Sequence, residues 1–345
     1  MIPIQNIYYM LSYAFQILNE QGYKNIATEQ FNNTAELMAA ILEKGIAIQL
    51  KRGLGKEYIP QTEALSSLRG KIDIAESIKT QSMLRKQLIC TYDEFSVNSI
   101  MNQIIKSTVE LLLRSNISKQ RKKNLRKLMV YFSEVDFIDS YTVNWNVQYN
   151  RNNQTYRMLI SICYLVVKGL LQTQSNGHTK LMDFLDEQRM CRLYEKFILE
   201  YYRKEFKNQI TANASQIPWQ LDNEENSMLS VMQSDIMLQS GEKVLIIDAK
   251  YYEHSTQVQF DKHTLHSGNL YQIFTYVKNK EYELREKDHT VSGMLLYAKT
   301  DEEIYPNNVY QMSGNQIDVR TLDLNLPFDE IASQLNTIAK THFDL

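Results

Sequence analysis

Cysteine, proline and glycine are all scarce in this chain: 3, 5 and 11 of 345 residues. Cys90, Cys163 and Cys191 are too few to build a disulfide scaffold, and they show no metal-ligand spacing. An odd, sparse set of thiols points to a reducing compartment. So little proline and glycine excludes long flexible linkers. A charge excess of either sign is also missing, because 38 Lys and Arg face 40 Asp and Glu for a net charge of −2. Such a chain does not coat nucleic acid by bulk charge, and any surface of that kind must be a local patch. The most apolar stretch, Met158 to Val167, is well short of the roughly 20 residues a membrane helix needs and reads as a core helix. The opening "MIPIQNIYYM" has neither a basic n-region nor a cleavage site. The expected location is the cytoplasm.

What is present is an ordinary globular mixture, 43% hydrophobic and 23% charged, with a length that suits two domains. The apolar spacing of "IQNIYYMLSYAFQIL" predicts a helix, as does "NNTAELMAAILEKGIAIQL", with Asn33 or Thr34 as its cap. "KRGLGKEYIPQTEALSSLRGKIDI" has glycines at 53, 55 and 70 and a proline at 60, and reads as surface β-hairpins or an extended loop. "QLICTYDEFSVN" predicts a strand running into the helix "SVNSIMNQIIKSTVELLLRS". Asp93 and Glu94 would lie in that helix's cap region, and Asn98, Asn102 and Lys106 would share one of its faces. A basic helix, "SKQRKKNLRKLMVYF", and an apolar one near 156–171 follow. The polar stretch "QTQSNGHTK" marks the expected domain boundary, giving domains 1–175 and 176–345. The second half predicts a helix at 187–206, strands near 217–221, 228–238 and 243–251, a helix at "SGNLYQIFTYVKN" and a strand at "HTVSGMLLYA". The expected fold class is α+β: a mixed helical and β-hairpin N-terminal part, then a layered α/β part.

The segment "SDIMLQSGEKVLIIDAKYY" carries the chemistry. Asp248 and Lys250 are two apart on a strand, so they share a face while Ile247 and Ala249 turn to the other. A hairpin through "QSGEK" would bring Asp235 alongside Asp248. Two adjacent carboxylates repel unless a cation sits between them, and hard oxygen ligands with room for water suit Mg2+. Such an ion would hold a phosphate and activate water, with Lys250 positioning that water and offsetting charge on the phosphate. Asp…Asp-x-Lys alone also describes charges at a solvent-facing strand end. Glu195, in the preceding helix, would either reach the ion or lie solvated on the helix flank. Gln272 and Tyr276, four apart, share a helix face, suited either to a phosphodiester and Lys250 or to an interface.

Helix with Glu, strand with Asp, strand with Asp-x-Lys, helix with Gln-x-x-x-Tyr is the chain order of the PD-(D/E)xK nuclease superfamily, with Ser234 where its proline would stand. Across the chain, "IPIQNIYYMLSYAF", "RGLGKEYIPQTEALSSLRGKID", "DEFSVNSIMNQIIKST" and "LIIDAKYY…LYQIFTY" resemble, in order, the McrC family of nuclease subunits of McrBC modification-dependent restriction systems. The resemblance implies a Mg2+-dependent DNA endonuclease with Asp235 and Asp248 as metal ligands and Lys250 as catalytic lysine. It carries Glu195, Gln272 and Tyr276 over as further site residues. It implies a hexameric AAA+ GTPase partner, McrB-like, which binds the GTP, and a double-stranded DNA substrate containing modified cytosine. It also implies an N-terminal half that enters the partner's ring, with Lys51, Arg52, Lys56, Arg69 and Lys71 around the loop as candidates for insertion. The residues by themselves add that this chain has no GxxxxGK[ST] loop to bind a nucleotide. A stand-alone repair or structure-specific nuclease, or a non-catalytic adaptor of an AAA+ ring, remains open at this point. Between Arg114 and Lys127, seven basic residues and no acidic one would track a DNA backbone or an acidic partner face, or form a solvated face. His254, His263 and His266 lack a zinc spacing and read as loop histidines.

Overall fold

The computed structural model describes residues 2–15, 31–139, 142–150, 155–175, 187–223, 228–251, 257–259, 262–299 and 305–345, with positions 18, 23, 26, 29 and 153. Two compact units result: Phe31–Phe184, and Met1–Gln30 together with Leu185–Leu345. This differs from the expected division, because helix α1 (Ile4–Ala14) packs with the second unit. Its aromatic face explains why. Tyr9 stacks on Phe328 with ring centroids 4.5 Å apart, Tyr13 meets Phe197 at 5.7 Å, and Asn6 donates to the carbonyls of Leu324 and Leu326 at 2.8 Å each. The polar stretch expected to hold the boundary lies mostly outside the described residues.

In the 31–184 unit, α2 (Thr34–Arg52) starts at Asn33, whose side chain accepts from the Glu36 N–H at 2.8 Å. Strands β1 (Glu57–Leu65) and β2 (Lys71–Asp73) do not form a hairpin with each other. Both pair antiparallel with β3 (Leu88–Ser96), which takes the centre in the order β1-β3-β2. Pro60 sits on edge strand β1, where a missing N–H is tolerated. Between β2 and β3 lie α3 (Ile74–Lys79), capped by Asp73, and a 3-10 turn at Ser82–Arg85.

Asp93 and Glu94 are not a helix cap, because they pair with Pro60 and Ile59 inside the β1–β3 ladder. The cap of α4 (Ile100–Arg114) is Ser99. Asn102 does tie this helix to the glycine segment, since its amide donates to the Gly55 carbonyl at 2.9 Å and its oxygen accepts from Tyr156 Oη at 2.8 Å. α5 (Lys119–Met129) and α6 (Tyr156–Ser175) complete the unit.

The second unit is built on a mixed six-stranded sheet, ordered β12-β13-β11-β8-β7-β4. α7 (Glu187–Glu205) leads into β4 (Thr211–Asn213) and the short pair β5 (Gln216–Ile217) and β6 (Met232–Gln233). The expected strand at 217–221 thus ends at Ile217, where Pro218 removes the next donor. The expected strand at 228–238 breaks at Ser234 and Asp235 before β7 (Ile236–Ser240). β7 turns through Gly241, at φ +57°, into β8 (Lys243–Lys250).

After the small pair β9 (Gln257–Gln259) and β10 (Lys262–Thr264) comes α8 (Ser267–Leu284). β11 (Thr290–Ala298) then joins β8 in parallel. β12 (Asn308–Met312), β13 (Asn315–Leu322) and α9 (Phe328–Phe343) close the unit. One core lies between the sheet and α8: Met237, Val244, Ile246, Leu295 and Ile317 pack with Ile273, Tyr276 and Val277. Gly293 makes this possible, as a Cβ there would come within 2.8 Å of Ile317 and Val277 side chains. No helix among the described residues is long and apolar enough to cross a membrane.

Candidate active site at the end of β8

Register puts the carboxylates together. Ile236 pairs with Ile247, so one step further along the hairpin Asp235 stands opposite Asp248. Val244 and Ile246 face α8, and the two-residue period carries Asp248 and Lys250 onto that same face. Asp235 Oδ2 accepts from the Ala249 N–H at 3.0 Å, which fixes its carboxylate across the strand end. Asp248 is only 1% exposed, and its Oδ2 is buried with Lys250 Nζ 2.7 Å away, an ion pair rather than a well-aligned hydrogen bond.

Lys250 Nζ also donates to Gln272 Oε1 at 3.2 Å, and Gln272 Nε2 donates to Tyr276 Oη at 2.9 Å. The result is one chain of polar contacts, Asp248–Lys250–Gln272–Tyr276, with Asp235 beside it. Glu195 lies near but outside this chain. It is half-buried on α7, and the Cys191 thiol donates to its Oε1 at 3.0 Å.

Electrostatics match this placement. Burial pushes the Asp248 carboxyl up to about 7, with Asp235 adding to the rise and Lys250 opposing it. Burial and then the Asp235 charge raise Glu195 above the usual carboxylate range, against the Cys191 hydrogen bond and the charges of Lys250 and Arg192. Burial and Glu195 push the Cys191 thiol up to about 12, so it is a neutral donor. The site therefore holds more carboxylate than its own cations balance.

A Mg2+ ion fits that imbalance. It is held by one or two carboxylates and keeps several waters, and Asp235 with the buried Asp248 Oδ2 offers that donor set. No group of three or more His, Cys, Asp and Glu converges among the described residues, so a closed all-protein cage of the zinc type is not formed.

Of the histidines, His266 immediately precedes α8, while His254 and the side chain of His263 lie outside the described residues. Two residues at the site carried no sequence signal of their own. Cys191 bonds Glu195 one helical turn on, a spacing visible in sequence but indistinguishable from any other thiol on a helix. Asn269 Nδ2 donates to the buried Tyr297 Oη at 2.9 Å, tying the first turn of α8 to β11 across 28 residues.

Residues 5–298 match the family described as McrBC 5-methylcytosine restriction system component. A type IV methyl-directed restriction enzyme of Escherichia coli strain K12, EcoKMcrBC, is 30% identical over 342 residues, 97% of this chain and 96% of that relative. This chain belongs to the McrBC family. Among solved structures, a half-complex from a tetradecameric assembly of Thermococcus gammatolerans McrB AAA+ hexamers with bound McrC is 17% identical, with a TM-score of 0.47 over 97% of this chain and 76% of that one. The Thermococcus gammatolerans McrBC complex is 20% identical, with a TM-score of 0.42 over 59% of each chain. As a McrBC family member the chain is a restriction-system component.

Proposed function

We propose that this chain is the nuclease subunit of a modification-dependent restriction complex, cutting double-stranded DNA that contains modified cytosine. The observation that carries the reading is the buried Asp248 carboxylate, opposite Asp235 and paired with Lys250 at the end of an apolar strand. Membership in the McrBC family supplies the DNA context. In this reading the second unit is a PD-(D/E)xK endonuclease domain, and the chain works in the cytoplasm.

Asp235 and Asp248 would hold Mg2+, which when bound supplies charge neutralisation at the phosphate and a more acidic water. Lys250, held between Asp248 and Gln272, presents its ammonium to the developing charge and positions the attacking water. Gln272 and Tyr276 orient Lys250 from α8, and Glu195 sets the charge of the site from α7. The hexameric McrB-like AAA+ GTPase supplies GTP binding and selection of modified sites, since this chain has no phosphate-binding loop of the GxxxxGK[ST] type. The N-terminal half, with Lys51, Arg52, Lys56, Arg69 and Lys71 around the β1–β2 region, contacts that ring.

The test is plasmid cleavage with Mg2+, using methylated and unmethylated DNA, with and without the GTPase partner and GTP. Cutting only of methylated DNA, and only with partner and GTP, is expected. Asp248→Ala and Lys250→Ala should each lower it by roughly a thousandfold or more. Cutting without the partner would instead make this a self-sufficient nuclease. Stimulated GTP hydrolysis with no cutting in any mixture would leave a non-catalytic adaptor.

A further inference from the structure

Helix α5 turns its two sides to different tasks. On the inner side Arg121 lies between Glu36 and Glu43 of α2, at 3.3 and 2.9 Å, Asn124 donates to Glu43 at 2.9 Å, and Leu125 is fully buried. The helix is thereby clamped to its own unit. On the outer side stand Lys119, Lys122, Lys123, Arg126 and Lys127. At 100° per residue these occupy an arc of about 140°, opposite Arg121 and Leu125.

None of the five is paired with a carboxylate among the described residues, whereas several surface cations of the other unit are. Lys278 pairs with Glu281, Lys280 with Glu283, Arg203 with Glu200 and Lys299 with Asp323. In a chain of net charge −2 this is a segregated stripe, not a by-product of composition. Tyr131, 67% exposed, stands one turn beyond Lys127.

We infer that this outer face of α5 is a binding surface for the phosphate backbone of duplex DNA, in the unit that does not carry the candidate active site. The stripe places five cations along about 12 Å of helix, one per ~2.4 Å, comparable to the one phosphate per ~1.7 Å along a duplex. Between Lys119 and Lys127 the arc contains no apolar residue, exposed Val130 following one turn on, and lysine is depleted from the cores of protein interfaces, so a polyphosphate suits it better than a protein face. No base-reading amide or aromatic lies within it, so it holds DNA without choosing sequence. The choice of DNA as the polyanion rests on the restriction reading above.

The test is fluorescence anisotropy of the full chain with a labelled duplex of about 30 base pairs, in EDTA and without partner, over a salt series. Neutralising Lys122, Lys123, Arg126 and Lys127 to Gln should weaken binding at least tenfold near 100 mM salt, and flatten the slope of log K against log salt by about 2–3. Neutralising four exposed cations of the same unit, Lys79, Arg85, Lys86 and Arg157, should leave binding within about twofold if the effect is local. Circular dichroism verifies that both variants fold.

Unchanged binding in the α5 variant would overturn the inference, as would an equal loss in the control, which would make the effect one of net charge. Intact DNA binding with lost stimulation of the GTPase would reassign the stripe to the partner. Because the assay needs neither Mg2+ nor cutting, α5-dependent binding by a chain that never cleaves would sink the nuclease reading alone. Cleavage by a chain whose binding ignores α5 would sink this one alone.

Discussion

At the scale of single residues, Lys250 is defined by what holds it. Its ammonium lies between a buried carboxylate and an amide, and the amide is itself fixed by a phenol. Removing the amide leaves the charge in place but frees its direction. Gln272→Ala is therefore expected to lower the maximal cleavage rate by about 10–100-fold while leaving DNA affinity unchanged, as for other supporting contacts around catalytic groups. Single-turnover cleavage against a DNA titration separates the two, and a matching loss of affinity would show that Gln272 touches the substrate instead. The Asp235, Asp248 and Lys250 constellation was legible in the sequence because strand period and a short turn are local rules. The Cys191–Glu195 bond and the Asn269–Tyr297 bond were not, since thiols and amides on helices have many possible partners and only packing selects one.

Among the elements, legibility followed length and periodicity. α2, α4, α5, α7, α8, β8 and β11 are long enough to repeat their pattern and stood out. β4, β5 and β6 have 2–3 residues and no period to read. Strand pairing was the least legible feature, because the segment read as surface β-hairpins or an extended loop, whereas β1 and β2 both pair with β3 and flank it. Gly70 shows what that arrangement demands. It sits at φ +67°, and a Cβ would lie 2.3 Å from the Thr91 carbonyl oxygen. Gly70→Ala must shift the backbone of β3 and is expected to destabilise the 31–184 unit by roughly 1–3 kcal/mol. Urea unfolding monitored within that unit checks this, and an unchanged midpoint would mean that the turn relaxes without strain.

For the molecule as a whole, stability in acid is set partly by a carboxylate two strands from β8, on the sheet face opposite the site. Asp318 on β13 is 1% exposed. Burial alone would raise it, but hydrogen bonds from His342 on α9 and from Gln316, with the charges of His342 and Arg320, outweigh burial and hold it below its ordinary value. A carboxyl lowered in the native state contributes fully above the unfolded value, near about pH 4, and that contribution is lost as pH falls through the lowered native value. Stability should thus drop on acidification within that window, and Asp318→Asn should flatten the drop. Denaturant midpoints of both proteins at pH 6 and across the acid range decide it, and parallel curves would remove Asp318 from the account.

By itself the sequence determined the polar pattern at the end of β8, the helices with repeating apolar faces and the basic, acid-free run at α5, because each depends on residues within a few positions of one another. Only the tertiary structure decided that α1 joins the second unit, that β3 separates β1 from β2, and that α5 turns one arginine inward and five cations outward. Those outcomes depend on partners up to 320 residues away, such as Asn6 with the Leu326 carbonyl, and no local period encodes which distant surface a face will meet.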